Sequence, residues 1–208
     1  GFSAGPAMTG EPWNGPELAD SMRSVGFEDV AFYVSTWTNA PLQIERSAHK
    51  LSRLREAGYS VRTLDPAQLN AELAWIHGVT VAAFSAPFNY MFHPIGLAEF
   101  QAVLGDGGGL DPRMILLCTA SDGAPAGFVY CTPEAGGVAS IKTLVVHPAH
   151  RSAGVGGALV ALAHETCRAL GFRRIAHALM RADGPSVAIS ATGEHEVFRR
   201  YSVMEAAL

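Results

Sequence analysis

Residues 144–172 read LVVHPAHRSAGVGGALVALAHETCRALGF: a β-branched run, a knot of glycines and then an apolar helical pattern. A strand ending before Arg151, Ser152, Gly154, Val155, Gly156 and Gly157, followed at once by a helix, gathers free backbone N–H groups around one point. Glycine lets that backbone approach a ligand closely, and the helix dipole adds partial positive charge, so the natural guest is a phosphate or pyrophosphate. Arg151 adds a full charge with a bidentate fork. A lone Gly-x-Gly is better read as a tight strand-to-helix turn. The fuller pattern, Pro148-x-x-Arg151-x-x-Gly154-x-Gly156-Gly157, is much more specific, and its spacing is neither that of the Rossmann fingerprint nor that of the P-loop.

Working outward, the residues after 113 form a meander of strands, MILLCTA, GFVYCT and VASIKTLVVHP, broken by the turns SDGAPAG and PEAGG. After the glycine-led helix come a strand RRIAHALM, a short helical stretch and a closing strand EVFRRYSVMEAAL. Upstream, residues 1–16 are Gly- and Pro-rich and irregular, PELADSMRSVGF predicts a helix stopped at Gly26, and EDVAFYVSTW predicts a strand. Helical spacing marks IERSAHKLSRLREAGY, PAQLNAELAWIHGVTVAAF and IGLAEFQAVL, with the strand SVRTL after the first and an aromatic segment, SAPFNYMFHP, between the last two. That segment can border a pocket. GFEDVAFYVS and GEHEVFRRYSV echo one another; the echo is either chance or the trace of a degenerate first copy of the later unit in residues 1–60.

The chain has 208 residues, 49% of them hydrophobic, enough for a real core in one domain or two small ones. Its 15 basic and 19 acidic residues give a net charge of −4 without a basic run, which leaves no electrostatic footprint for nucleic acid or an anionic membrane. Cys118, Cys131 and Cys167 have neither metal-ligand nor redox spacing, and fit a reducing, cytoplasmic setting. The start at Gly1 rather than Met points to a piece excised from a larger polypeptide.

The glycine pattern resembles the pyrophosphate loop of the GCN5-related N-acetyltransferase (GNAT) superfamily, and the order of strands and helices is similar over residues 61–208. The resemblance implies an α/β (α+β) fold: a mixed, mostly antiparallel sheet, splayed between Val146 and the strand of His177, flanked by helices. Residues 1–60 would be an N-terminal extension, a partial second unit packed on the catalytic domain 61–208. It also implies coenzyme A or a phosphopantetheine thioester as substrate carrier. The pyrophosphate would lie on the 151–157 loop, the pantetheine arm along the backbone of Leu144, Val145 and Val146, and Ser186 would be a further cofactor contact.

Acetyltransferases of this superfamily carry a Tyr, in a Tyr-x-x-x-Gly-Phe context after the penultimate strand, that protonates the leaving thiolate. The corresponding stretch here, GPSVAISATGEHEVF, has none. Instead Thr143 stands before the pantetheine strand and His177 lies in mid-strand, and a hydroxyl with an imidazole can stabilise an oxygen gaining negative charge. Singly, each is better explained as a β-former and a core histidine. Jointly, with Trp37 in STWTNAP, they resemble the GNAT-like decarboxylase domains of polyketide synthase loading modules, which act on malonyl-type thioesters. That implies acyl-CoA or an acyl carrier protein, and neighbouring synthase domains, as partners. Thr192 stands where those relatives carry an arginine for the substrate carboxylate. Arg181, Arg199 and Arg200 are alternatives, each also readable as a solvated strand charge.

Three function classes stay open: a malonyl-thioester decarboxylase, an acetyl-CoA-dependent N-acetyltransferase and a catalytically inert thioester-binding module. Thr143 and His177 argue against the last, and the missing Tyr against the second. His77, Asn89, Tyr90 and His93 read as structural. His147, His150 and His164 fall near the loop or on an exposed helix face without metal-ligand company, so no metal is expected.

Overall fold

The computed structural model describes residues 8–85, 89–105 and 110–206. Six helices and seven strands are seen in these residues: α1 (Pro16–Ser24), β1 (Phe27–Thr38), α2 (Ala40–Glu56), β2 (Ser60–Thr63), α3 (Leu69–Phe84), α4 (Leu97–Gly105), β3 (Ile115–Thr119), β4 (Pro125–Glu134), β5 (Val138–Val146), α5 (Val155–Ala169), β6 (Arg174–Arg181), α6 (Pro185–Ala191) and β7 (Glu196–Ala206). The meander expected after residue 113 forms as β3, β4 and β5, because alternating apolar residues and tight turns favour antiparallel neighbours.

All seven strands join one sheet in the order β2-β3-β4-β5-β6-β1-β7. Only β5 and β6 run parallel; every other neighbouring pair is antiparallel. On one face α2 and α5 bury Leu54, Leu159, Ala163 and Cys167 against Cys118, Val129 and Ile141 of the sheet. On the other, α3 and α4 bury Leu73, Ile76 and Val79 against Ile115, Leu117, Phe128 and Val145. Each fully buried leucine of these cores contributes about 1.5–3 kcal/mol of transfer free energy.

The sequence reading set residues 1–60 alongside the sheet, but β1 is an interior strand of it, bonded to β6 on one side and β7 on the other. The two echoing segments are therefore neighbours: β1 and β7 pair from Phe27 opposite Ala206 to Trp37 opposite Glu196. Asn39 caps α2 by accepting from Leu42 N at 3.3 Å, and this helix then lies on α5, so residues 27–56 are integral to the fold that carries the loop. Ahead of them, residues 8–13 cross the sheet: Met8 packs with Val138, Ala176 and Phe198, and Thr9 bonds Glu134 through its amide and its hydroxyl.

Candidate functional site

Strands β5 and β6 are hydrogen-bonded only from Val138 opposite Arg174 to Ile141 opposite His177, and beyond that point they part. Two irregularities accompany the parting. On β5, the register against β4 slips at Lys142, with Ile141 opposite Cys131 but Thr143 opposite Tyr130. On β6, Leu179 takes φ 48°, and its N–H goes to Ser35 Oγ of β1 at 3.0 Å. A cleft of about 1230 Å³ occupies the opening and joins the two faces of the sheet, lined by Leu144, Val146, Gly156 and Ile189 on the α5 side and by Ile76, Phe100 and Phe128 on the other.

The glycine turn forms one mouth of this cleft. His147 Nδ1 accepts from Ala149 N at 3.3 Å, a short 3-10 turn covers Pro148–Ala153, and Gly154 at φ 81° reverses the chain into α5. A Cβ at Gly154 would meet nothing within 4 Å, so the conformation, not crowding, requires glycine there. Gly156 and Gly157 differ: a Cβ would meet Ile189 Cδ1 at 3.1 Å in the first case and Lys50 Cδ at 2.7 Å in the second. The cradle of open amides suits a pyrophosphate. Arg151 lines the cleft, with Nη2 reaching Ala83 O at 3.4 Å, while Ser152 is exposed and outside the lining. Lys50, which sequence reasoning missed because it sits a hundred residues away on α2, is a second cation at the mouth. Leu144, Val146 and Ser186 line the cleft, whereas the side chains of Val145 and Val155 are core, leaving only their backbones for a ligand.

Thr143 and His177 both line the cleft where the strands part. They reach it from opposite faces: Thr143 shares the face of Tyr130, which packs toward α3, whereas His177 turns toward α5. His177 Nε2 lies 2.7 Å from His164 Nε2, the two rings meeting edge to face. His164 was expected on an exposed helix face but is fully buried, because α5 turns that position into the sheet. Burial lowers the His164 pKa to about 4. Burial, then the neighbouring His164 and His195, hold His177 well below the ordinary histidine value. Both rings are therefore neutral near pH 7.

Trp37 is not brought to this point. It stacks on Phe198 at 4.3 Å, carries the Arg174 guanidinium over its other face at 3.9 Å, and lines a separate small depression. Thr192 ends α6 outside the lining, its carbonyl taking a bond from Arg46 Nη1 at 3.1 Å. Of the three arginines weighed as alternatives, Arg181 lines the cleft but is tied to Asp183 at 2.6 Å, and Arg200 is exposed. Arg199 is buried rather than solvated, 3.7 Å from Glu11 and stacked on Trp13. The Glu11 carboxylate also meets Lys142 Nζ at 3.1 Å and accepts from the Tyr201 hydroxyl, whose pKa burial and this carboxylate push up to about 12.

Asn89, from the aromatic segment, lines the cleft with Met91 and Phe92, and its Nδ2 bonds Phe84 O at 3.3 Å; residues 86–88 lie outside the described residues. Tyr90 and His93 are exposed, and His77 bonds Ile95 O at 2.9 Å. His150 bonds the Tyr59 hydroxyl at 3.0 Å. Tyr33, also missed, lines the cleft from β1, and burial raises its phenol. Its hydroxyl is buried and lacks a well-formed hydrogen bond among the described residues, with the Met91 backbone nearby. An alternating strand of aromatic and small residues gave no signal that Tyr33 would face a ligand.

No helix of the described residues is long and apolar enough to cross a membrane. Nothing among the curated proteins matches the sequence. Among solved structures, a GCN5-related N-acetyltransferase from Sphaerobacter thermophilus superposes with a TM-score of 0.66 at 16% identity, over 90% of this chain and 55% of that one. A GCN5-related glucosamine N-acetyltransferase region of a fungal multi-domain GH3 β-N-acetylglucosaminidase gives 0.64 at 12% identity, over 90% of this chain and 22% of that one. A tandem GNAT protein from the clavulanic acid biosynthesis pathway gives 0.58 at 16% identity, over 97% and 62%. The chain thus spans about half the length of the Sphaerobacter protein, and at these identities the likeness is one of fold. The family model described as "Acetyltransferase (GNAT) family" matches residues 73–188, which include the parted strands and the glycine turn, and over half of its length the chain belongs to that family.

Proposed function

We propose that the protein binds an acyl thioester of coenzyme A or of a carrier-protein phosphopantetheine arm, and that it decarboxylates a malonyl-type acyl group. One observation carries this reading: where the strands part, the cleft offers Thr143 and a neutral His177, and beyond them a chamber of Leu73, Ile76, Phe100, Phe128 and Ile115. Among the described residues the only acid in the lining is Asp183, already held by Arg181, so no free carboxylate stands ready to deprotonate an amine. The pyrophosphate would take the amides at 154–157 with Arg151 and Lys50, and the arm would run along Leu144 to Val146 past Ser186.

In the reaction, the bond between the carboxylate and the α-carbon breaks and carbon dioxide leaves. The electron pair delocalises onto the thioester oxygen, and the α-carbon then takes a proton from solvent. Donors at that oxygen act more strongly on the enolate than on the ground-state carbonyl, which is what accelerates the step. The apolar lining of the chamber favours loss of a charged carboxylate as neutral gas.

Incubation with malonyl-, methylmalonyl- and acetyl-CoA, followed by mass spectrometry, tests the reading. Loss of carbon dioxide from the first two is expected, and Thr143→Val, which keeps the β-branched shape, should slow it about tenfold. Intact malonyl thioesters together with acetylation of an amine would sink it.

Tyr33 favours a second reading, N-acetyl transfer to an unidentified amine. Its buried hydroxyl lines the cleft, and burial keeps the phenol protonated, so it has a proton to give to a leaving thiolate. Tyr33→Phe discriminates: it should abolish acetyl transfer under this reading and leave carbon dioxide release nearly unchanged under the first.

A further inference from the structure

We propose that His164 is a positioning residue that fixes the tautomer of His177, placing the proton of His177 on Nδ1 so that this N–H can donate to the thioester oxygen in the cleft. This rests on the thioester reading above, but the tautomer is a property of the protein alone. The two Nε2 atoms are 2.7 Å apart, so one carries a proton and the other accepts it. A neutral imidazole has one N–H and one lone pair, so whichever role His164 takes at Nε2 dictates what remains at both Nδ1 atoms.

His164 Nδ1 is buried and has no partner among the described residues. If it carried the proton, a buried N–H would be orphaned, the rarer situation in folded proteins; if it carries a lone pair, an acceptor is left unfilled. The favoured arrangement therefore puts the His164 proton on Nε2, donating to His177 Nε2. His177 must then be protonated at Nδ1. No hydrogen bond among the described residues takes that nitrogen, and His177 lines the cleft beside the parting of the strands. The reverse arrangement would present a lone pair to the thioester oxygen and repel it.

The packing supports a rigid pair. His164 sits on α5 between the buried Ala163 and the helix face holding Val160 and Cys167, and His177 lies between the buried Ala176 and Ala178 of β6. His195 Nδ1 is also buried and unpartnered, and its ring lies close enough to oppose a charge on His177. The His164 and His177 rings thus favour neutral forms, in which a tautomer rather than a charge carries the information.

Long-range proton–nitrogen NMR on ¹⁵N-histidine-labelled protein tests this directly, because a protonated ring nitrogen and a bare one resonate far apart. The parent should show a protonated Nδ1 and a bare Nε2 for His177, assigned by loss of the signals in His177→Gln. In His164→Leu, Nε2 of His177 loses its donor and the tautomer is no longer fixed: the two ring-nitrogen signals should draw together, and turnover of malonyl-CoA should fall about tenfold to a hundredfold with KM little changed. His164→Gln, whose side-chain amide can again donate, should restore both in large part. A parent spectrum with His177 protonated at Nε2 overturns the proposal whether or not either variant folds. So does a folded His164→Leu in which the tautomer is released yet full turnover is kept. If no thioester loses carbon dioxide while the parent spectrum is as expected, the tautomer assignment stands and the decarboxylation reading fails.

Discussion

The turn that opens α5 and the point where β5 leaves β6 lie along one cleft but are made of opposite materials. The turn is backbone: glycines, amide protons and two surface cations, Arg151 and Lys50, open to water. The parting point is side chain: Thr143 from one face, His177 from the other, and a second buried histidine behind it. Charge held by the first is screened by solvent and adds modestly to affinity. Hydrogen bonds at the second act beside a buried imidazole and apolar walls, where a single donor weighs heavily on a transition state. Loss of a group at the turn should therefore weaken binding, and loss at the parting point should slow chemistry.

The sharpest way to break that division is His177→Ala. Removing one oxyanion donor typically costs about 10²–10³ in turnover, or about 3–4 kcal/mol, and KM for the thioester should hardly move. Steady-state kinetics on malonyl-CoA decide it. A variant that loses affinity instead of turnover would mean the parting point is a binding element like the turn.

Acid should separate the two regions next. His164 has a folded-state pKa of about 4 against an ordinary 6.5, so between these values the unfolded chain binds the extra proton. Its contribution to stability is complete above pH 6.5 and drains away as pH falls toward 4, at up to about 1.4 kcal/mol per unit, or about 2 kcal/mol by pH 5. His177 adds to the loss in the same direction. The carboxyls of Asp29 and Asp111, held below their ordinary 3.8 by Ser202 and by Arg113, act only beneath this window. Urea midpoints measured from neutral pH to pH 5 should fall, and His164→Gln should flatten the slope. An unchanged slope would mean that His164 is not the group being titrated.

The same division decides what could be read in the chain beforehand. The turn was legible because its chemistry resides in the backbone, and a positive φ at Gly154 leaves a residue-type trace at a fixed spacing. The strands around it were legible from alternation and turn chemistry. What escaped depends on how distant segments meet. Nothing in EDVAFYVSTW says that β1 will slot between β6 and β7, because interior antiparallel strands share one pattern wherever they insert. Once β1 is there, Tyr33 opposite Arg181 reaches the cleft and Trp37 opposite Ala176 does not, a distinction set by register. His164 was misread because an apolar helix flanked by glycines has no evident outer face.

At the turn, Gly154→Ala probes conformation alone. The surrounding space accepts a methyl group, since nothing lies within 4 Å, so any effect comes from the left-handed backbone at φ 81°. That conformation costs an L-residue roughly 1–2 kcal/mol, and relaxing it would turn the amides away from a pyrophosphate. Affinity for coenzyme A, measured by calorimetry, should fall about tenfold with turnover at saturation preserved. Gly156 is the poorer probe, because a Cβ there also presses on Ile189 and Val146.

The smallest effect belongs to Lys50, and its salt dependence is what makes it informative. Its stem packs over Gly157 in the first turn of α5, and its ammonium lies 3.1 Å from the place a Cβ would take there, so it can reach a phosphate held by the helix amides. Because the group is at a solvent-facing mouth, its charge should contribute only about 1 kcal/mol, a fivefold change in affinity. Lys50→Met keeps most of the aliphatic stem and removes the charge. At low ionic strength it should weaken coenzyme A binding about fivefold, and at 1 M salt, where the screening length is about 3 Å, parent and variant should converge. Pantetheine, which carries no phosphate, supplies the control, since a ligand without the pyrophosphate should not distinguish the two proteins at any salt concentration. A salt-independent loss, or an equal loss with pantetheine, would mean that Lys50 acts by packing against α5, and the turn would then keep only Arg151 as its cation.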